Sequence, residues 1–100
     1  MKNYELENYK LDFNTGQIII DYALFKEETN EDVEVETAFS MDTLLDWLLA
    51  EEYIDNSFIG PDGLMVSFTI FGEDNDISYT LHISEFLSRD IVDEFLLDSI

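Results

Sequence analysis

The sequence predicts an α+β fold: an antiparallel sheet of about five strands with two helices, in the order β-β-β-α-β-β-α. Short segments in which apolar and polar residues alternate are joined by turn residues, which is typical of antiparallel hairpins. Two other segments repeat apolar residues with helical spacing. Because the strands come in hairpins rather than in strand–helix–strand units, a mixed α+β class is favoured over a parallel sheet. A chain of 100 residues can bury a core as a single domain spanning residues 1–100.

The first two strands are predicted at residues 4–13 and 17–25. The alternation of the first strand changes face near Asn8, which indicates a β-bulge or bend. Asn14-Thr15-Gly16 forms a three-residue hairpin connection in which Gly16 can take a positive φ. In the second strand, alternate apolar residues from Ile18 to Leu24 give one apolar face.

A third strand and a helix follow a polar turn at residues 26–32. Residues 33–39 alternate apolar residues with acidic ones, which predicts a half-buried strand with an acidic outer face. Ser40 is a good N-cap for a helix that ends near Tyr53. Apolar residues at 41, 44, 45, 48 and 49 follow the spacing of a helix with one buried face.

The second half of the chain is predicted to hold a loop, a hairpin and a helix. Residues 54–63 are expected to be a loop, and residues 64–71 and 77–83 two strands joined by an acidic turn at 72–76. Ser84 is expected to cap a C-terminal helix that runs to about Asp98. Its core face is predicted to contain Leu87, Ile91, Val92 and Phe95, with Leu96 at the margin.

The charge balance is the most unusual feature of the composition. The chain has 24 Asp+Glu against 4 Lys+Arg, a formal net charge of −20, while 46% of its residues are hydrophobic and 14% aromatic. That apolar content excludes an acidic disordered tail. The charge excludes direct binding to nucleic acid or to an anionic membrane, because like charges repel, so any partner should be basic. Two alternative explanations of the excess negative charge are adaptation to high salt and chance.

Sequence motifs for catalysis, metals or cofactors are missing. There is no Cys, the only histidine is His82 in a predicted strand, and no Gly-rich loop precedes a helix. The segment from Asp55 resembles a calcium-binding loop, but Ile59 and Val66 stand where oxygen ligands are needed. We therefore expect a protein that is not an enzyme and that uses neither a metal nor a cofactor. The N-terminus lacks the apolar segment of a signal peptide, which favours a cytoplasmic location.

The acidic residues form clusters that are candidates for partner binding. In either predicted helix only Arg89 could offset them, whereas ordinary helices pair acids with bases one turn away. Each cluster taken alone is typical of a solvated face. Trp47 either covers the edge of the core or anchors an interface, since Trp is favoured at binding hot spots. The candidate residues are Glu31, Asp32, Glu34, Glu36, Asp42, Asp46, Trp47, Glu51, Glu52, Asp55, Glu73, Asp74, Asp76, Asp90, Asp93 and Glu94.

The net charge of the chain is comparable with that of a DNA duplex of similar length. A domain of this size has a long dimension of roughly 35 to 40 Å, and duplex DNA of that length carries about 20 to 24 phosphates. In this composition the chain resembles the DNA-mimic inhibitors, small acidic phage and plasmid proteins that occupy the basic nucleic-acid channels of restriction, CRISPR or repair enzymes. The resemblance implies a stoichiometric anti-CRISPR or anti-restriction inhibitor whose partner is a basic defence nuclease or effector complex.

Two other functions fit the same composition. An immunity protein would neutralise one cognate basic nuclease toxin, and its gene would neighbour that of the toxin. A non-inhibitory acidic interaction module would bind a basic partner without blocking nucleic acid.

Overall fold

The computed structural model describes residues 3–100 and shows an α+β fold in which the described residues form six strands and three helices. The α+β class is confirmed. The expectation of about five strands in one sheet with two helices is wrong, because the strands form two separate three-stranded antiparallel sheets and a third, short helix is present. The chain divides into two compact units, with the boundary after Met41. The expectation of a single domain stays a prediction.

The first unit is a meander of β1 (Tyr4–Asp12), β2 (Gln17–Lys26) and β3 (Glu31–Ser40). The register between β1 and β2 shifts between Leu6 and Asn8, which confirms the predicted bulge. Gly16 lies in the hairpin connection with a φ of +68°, as predicted. Glycine adopts this positive φ readily because glycine has no Cβ.

One face of this sheet is buried. Side chains of alternating residues on β1 and β2 are buried, and the rings of Tyr4 and Tyr22 meet edge to face with their centroids 6.2 Å apart. The buried residues of the two strands are Tyr4, Leu6, Ile18, Ile20 and Tyr22. Since side chains alternate across a strand, the residues between them point to the opposite face.

The second unit begins with most of α1 (Met41–Ala50). Leu44 and Leu48 are fully buried, as their helical spacing predicted. The helix ends at Ala50, earlier than the expected end near Tyr53, because Glu52 takes a left-handed φ of +62°. This conformation stops the helical hydrogen-bond pattern.

The second sheet contains β4 (Asn56–Gly60), β5 (Gly63–Ile70) and β6 (Ile77–His82) in sequence order. The predicted loop at residues 54–63 is wrong, because half of it forms β4, which pairs antiparallel with β5 across a tight turn. This strand is short and lies at the sheet edge, so its residues do not show the alternating burial that identifies a strand in sequence. The hairpin at residues 72–76 is confirmed.

Two helices close the chain, α2 (Ile83–Phe86) and α3 (Arg89–Ser99). The predicted capping role of Ser84 is wrong: Ser88 is the N-cap of α3, where its hydroxyl accepts a hydrogen bond from the Ile91 N–H. His82 caps α2 instead, with Nδ1 accepting from the Ser84 N–H. Leu96 is fully buried rather than marginal. None of the helices within residues 3–100 has the length and apolar content of a transmembrane span.

Candidate functional site

The outward face of the first sheet carries a dense group of carboxylates. In the strand register, Glu5 and Glu34 both pair with Ala23, and Asp21 pairs with Glu36, so these residues lie side by side on the three strands. They stand opposite the buried face because they alternate with it along each strand. We call the following six residues the outer carboxylate face: Glu5, Glu7, Asp21, Asp32, Glu34 and Glu36.

The charge density of the outer carboxylate face approaches that of a duplex. All six carboxylates lie beside the segment of β3 from Asp32 to Glu36. At about 3.4 Å per residue this segment is about 14 Å long, which gives one carboxylate per about 2.3 Å of strand. Duplex DNA carries one charge per about 1.7 Å of its axis. The face is therefore a local patch whose carboxylates have about three-quarters of the linear density of the phosphates in duplex DNA.

The carboxylates of this face are close enough to perturb one another. The pKa of Glu7 is raised above its ordinary value, first by a hydrogen bond shared with the Glu34 carboxyl group, then by partial desolvation and by the charges of Glu34, Asp21 and Glu5. A hydrogen bond between two carboxyl groups requires a proton on one of them, and neighbouring negative charges favour the neutral acid. A shallow groove of about 440 Å³ runs between these side chains.

The sequence anticipated half of this face. Asp32, Glu34 and Glu36 were expected to share the outer side of their strand, and β3 carries all three there. Glu31 alternates to the other side, where it pairs with Lys26.

Glu5, Glu7 and Asp21 were not among the predicted site residues. The signal that could have found Asp21 is its position between Ile20 and Tyr22, which the structure buries on the other face. The short hairpin connection then fixes which residues of β1 lie beside it.

The second unit presents the remaining predicted acidic residues on several elements. Asp42 and Asp46 are exposed one turn apart on α1, and Glu51 and Glu52 follow its end. The acidic turn that joins β5 to β6 exposes Glu73, Asp74 and Asp76, and Asp55 is exposed just before β4. On α3, Asp90 and Glu94 are exposed while Asp93 is half-buried.

An aromatic–carboxylate cluster joins the end of α1 to α3. The indole of Trp47 packs against the rings of Tyr53 and Phe95, with centroids 5.6 and 5.4 Å away. Its Nε1–H donates a 2.9 Å hydrogen bond to Asp98, and the Tyr53 hydroxyl donates to Glu94. The pKa of Tyr53 is raised, first by that hydrogen bond, because ionised Glu94 accepts from the neutral phenol.

This cluster gives Trp47 a structural position at the edge of the core of the second unit. Its ring is half-exposed and its polar atom has an acceptor, so packing accounts for part of its surface. Its role as an interface anchor stays a prediction, as do the binding roles of the acidic residues.

The described residues show no group of three or more His, Asp or Glu side chains arranged to hold a metal ion. Both ring nitrogens of His82 lie against neighbouring residues. Nδ1 is 2.7 Å from the Ser84 hydroxyl oxygen. Nε2 lies so close to Gly63 that a Cβ at that position would come within 2.9 Å of it. Comparisons of the chain with protein-family models, with curated proteins and with solved structures gave no match.

Proposed function

We propose that this protein is a stoichiometric inhibitor that imitates the charge of nucleic acid. It would act in the cytosol by occupying the DNA- or RNA-binding surface of a basic protein, such as the nuclease or effector complex of a defence system against phages or plasmids. It would work by binding alone, without catalysis.

The outer carboxylate face is the observation that carries the proposal. A binding groove that evolved to hold phosphates presents Arg and Lys side chains, and carboxylates can accept the same bidentate hydrogen bonds from Arg as phosphates do. A face with one carboxylate per about 2.3 Å of strand offers such a groove acceptors at a nearly phosphate-like density.

The electrostatic balance of the chain supports the same proposal. The pKa of Glu7 is raised by its hydrogen bond with Glu34, by desolvation and then by neighbouring negative charges, and a net charge of −20 disfavours the folded state. Solubility alone needs a net charge of magnitude only about 2 to 8 in a small domain. The excess is useful if it steers the protein to a basic partner, because long-range attraction accelerates association.

A displacement assay tests the proposal. Purified CRISPR effector complexes and restriction enzymes are each loaded with fluorescently labelled nucleic acid, and the protein is titrated while the anisotropy of the label is recorded. For at least one target we expect stoichiometric displacement that weakens steeply between about 50 and 200 mM salt, as phosphate-type contacts do. A complex that forms while the nucleic acid stays bound would overturn the proposal. So would affinity restricted to one nuclease toxin without such competition, which the immunity function predicts.

Charge reversal locates the contact. The double variant Glu34→Lys, Glu36→Lys should weaken displacement about tenfold or more, since it replaces two acceptors on the outer carboxylate face by repelling cations. The matched control, Glu27→Lys with Glu28→Lys, changes the net charge equally in the connection between β2 and β3 and should have a small effect. Equal weakening by both pairs would show that net charge, and not this face, determines binding.

The double variant Asp42→Lys, Asp46→Lys tests in the same way whether the acidic residues of α1 contact the partner. Far-ultraviolet circular dichroism of every variant verifies that a loss of displacement is not a loss of fold.

A further inference from the structure

The second unit contains a groove that is lined by residues other than those of the outer carboxylate face. It has a volume of about 480 Å³, within the range of about 300 to 1,000 Å³ that is usual for ligand sites. Most of its wall comes from the end of α1, the residues before β4 and the end of β5. We call it the hairpin groove and define it by Leu49, Glu52, Ile54, Asp55, Phe68 and Phe71.

The apolar wall of the hairpin groove is partly rigid and partly exposed. The ring of Phe68 stacks on Tyr79 at a centroid distance of 5.4 Å and also contacts Phe86. Phe71 is 78% exposed and Leu49 is 39% exposed. The groove therefore offers a fixed aromatic ring and a second, uncovered one to an incoming group.

Two carboxylates complete the wall, and β5 positions one of them. The Thr69 hydroxyl donates a 2.7 Å hydrogen bond to Oδ2 of Asp55. A carboxylate accepts about four hydrogen bonds, so this contact orients Asp55 and leaves acceptor capacity for a ligand. Glu52 lines the groove from the end of α1, where its backbone takes a left-handed conformation.

We propose that the hairpin groove binds an arginine side chain presented by the basic partner. Aromatic faces attract a guanidinium group, and planar guanidinium forms paired hydrogen bonds with carboxylates, so a wall of rings and carboxylates matches arginine better than the compact, strongly hydrated ammonium of lysine. The methylene stem of arginine would cover the exposed apolar surface of Leu49 and Phe71.

Charge complementarity decides between arginine and other occupants. Two carboxylates in a chain of net charge −20 disfavour an apolar ligand, an anion or a second copy of this chain. The inference rests on the proposed function, because it assigns a chemistry to part of the basic partner.

Short capped peptides test the groove without the partner. The probes are Gly-Arg-Gly and the matched lysine and citrulline tripeptides, each titrated into the isotopically labelled protein at about 0.15 M salt and followed by NMR. We expect saturable amide shifts confined to the hairpin groove, and an upfield ring-current shift of the arginine δ protons. The lysine peptide should bind several-fold more weakly, and uncharged citrulline should not bind.

Matched variants identify the responsible side chains. Phe71→Leu should reduce the upfield shift, because only the Phe68 ring remains, and should weaken binding about threefold to tenfold, and Glu52→Gln should weaken binding several-fold. Glu85→Gln removes an equal charge from an exposed position on α2 outside the groove, and it should leave the affinity unchanged. Both glutamates and Phe71 are exposed, so these substitutions should preserve the fold.

Equal binding of the arginine and lysine peptides without a ring-current shift would overturn the proposal, as would equal weakening by Glu52→Gln and Glu85→Gln. Either result would reduce the interaction to unspecific attraction of cations. The peptide experiment contains no nucleic acid and no target protein. Its failure therefore leaves the displacement result intact, and a failed displacement assay leaves the peptide result intact.

Discussion

Replacing Glu52 by glycine should make the protein more stable. Glu52 follows α1 with a φ of +62°, its N–H donates to the Leu49 carbonyl, and the N–H of Tyr53 donates to the Leu48 carbonyl. This hydrogen-bond pattern is that of a Schellman motif, in which the left-handed position is usually glycine. A glutamate there strains the backbone, because its Cβ crowds the neighbouring carbonyl oxygen.

The expected gain is the difference between two opposing effects. The left-handed conformation costs a residue with a Cβ roughly 1 to 2 kcal/mol. Glycine loses more conformational freedom on folding, which costs roughly 0.5 to 1 kcal/mol. Taking the middle of each range, Glu52→Gly should therefore raise the free energy of unfolding by about 0.75 kcal/mol, which corresponds to a rise in Tm of about 3 to 6 °C for a chain of this size.

Thermal unfolding followed by circular dichroism or calorimetry measures this difference. Two controls separate its causes. Glu52→Gln removes the charge but keeps the Cβ, so it should yield only the part of the gain that comes from charge repulsion. Asn30→Gly alters the other non-glycine residue among residues 3–100 with a positive φ, 55°, where asparagine already tolerates the conformation, so its gain should be smaller. If Glu52→Gln stabilised the protein as much as Glu52→Gly, backbone strain would not be the cause.

Two pH dependences follow from the pKa shifts. The folded state raises the pKa of Glu7 above 4.5, so it binds more protons than the unfolded state just above that pH. This group should therefore make stability fall as pH rises from 4.5 through its folded pKa, and urea unfolding of Glu7→Gln across that range should lack the contribution. The folded state also raises the pKa of Tyr53 above 10.0, through its hydrogen bond to Glu94. The stability from that bond should be complete below pH 10.0 and lost as pH rises through the folded pKa. The phenol absorbance should titrate later than that of free tyrosine, and Glu94→Gln should bring the titration back towards 10.0; a titration that Glu94→Gln leaves unchanged would contradict this assignment.

The sequence predicted the strands of the first unit because their period and their turns agree. Alternation in residues 4–13 and 17–25 has one compatible register across the connection that contains Gly16, and the bulge near Asn8 appears as a change of face. Ionic and apolar residues also alternate cleanly along β3. Local pattern was therefore sufficient for this meander.

The local sequence pattern could not predict that the strands divide into two sheets. Whether β3 lies beside a later strand depends on pairing between distant segments, which strand periodicity does not encode. The short edge strand β4 and the caps of α2 and α3 were missed for a related reason. Ser84 and Ser88 carry the same side chain, and His82 is not a residue type favoured at an N-cap, so the caps depend on where β6 ends.

The two proposed surfaces would control different steps of binding. The outer carboxylate face would act at long range, so neutralising it should slow association and reduce the dependence on salt. The hairpin groove would act only after contact, through stacking and short hydrogen bonds, so Phe71→Leu should mainly accelerate dissociation. Glu52 belongs to the second step and also strains the end of α1. A variant such as Glu52→Gly should therefore combine higher stability with weaker arginine binding, a combination that a purely structural role for this glutamate does not produce.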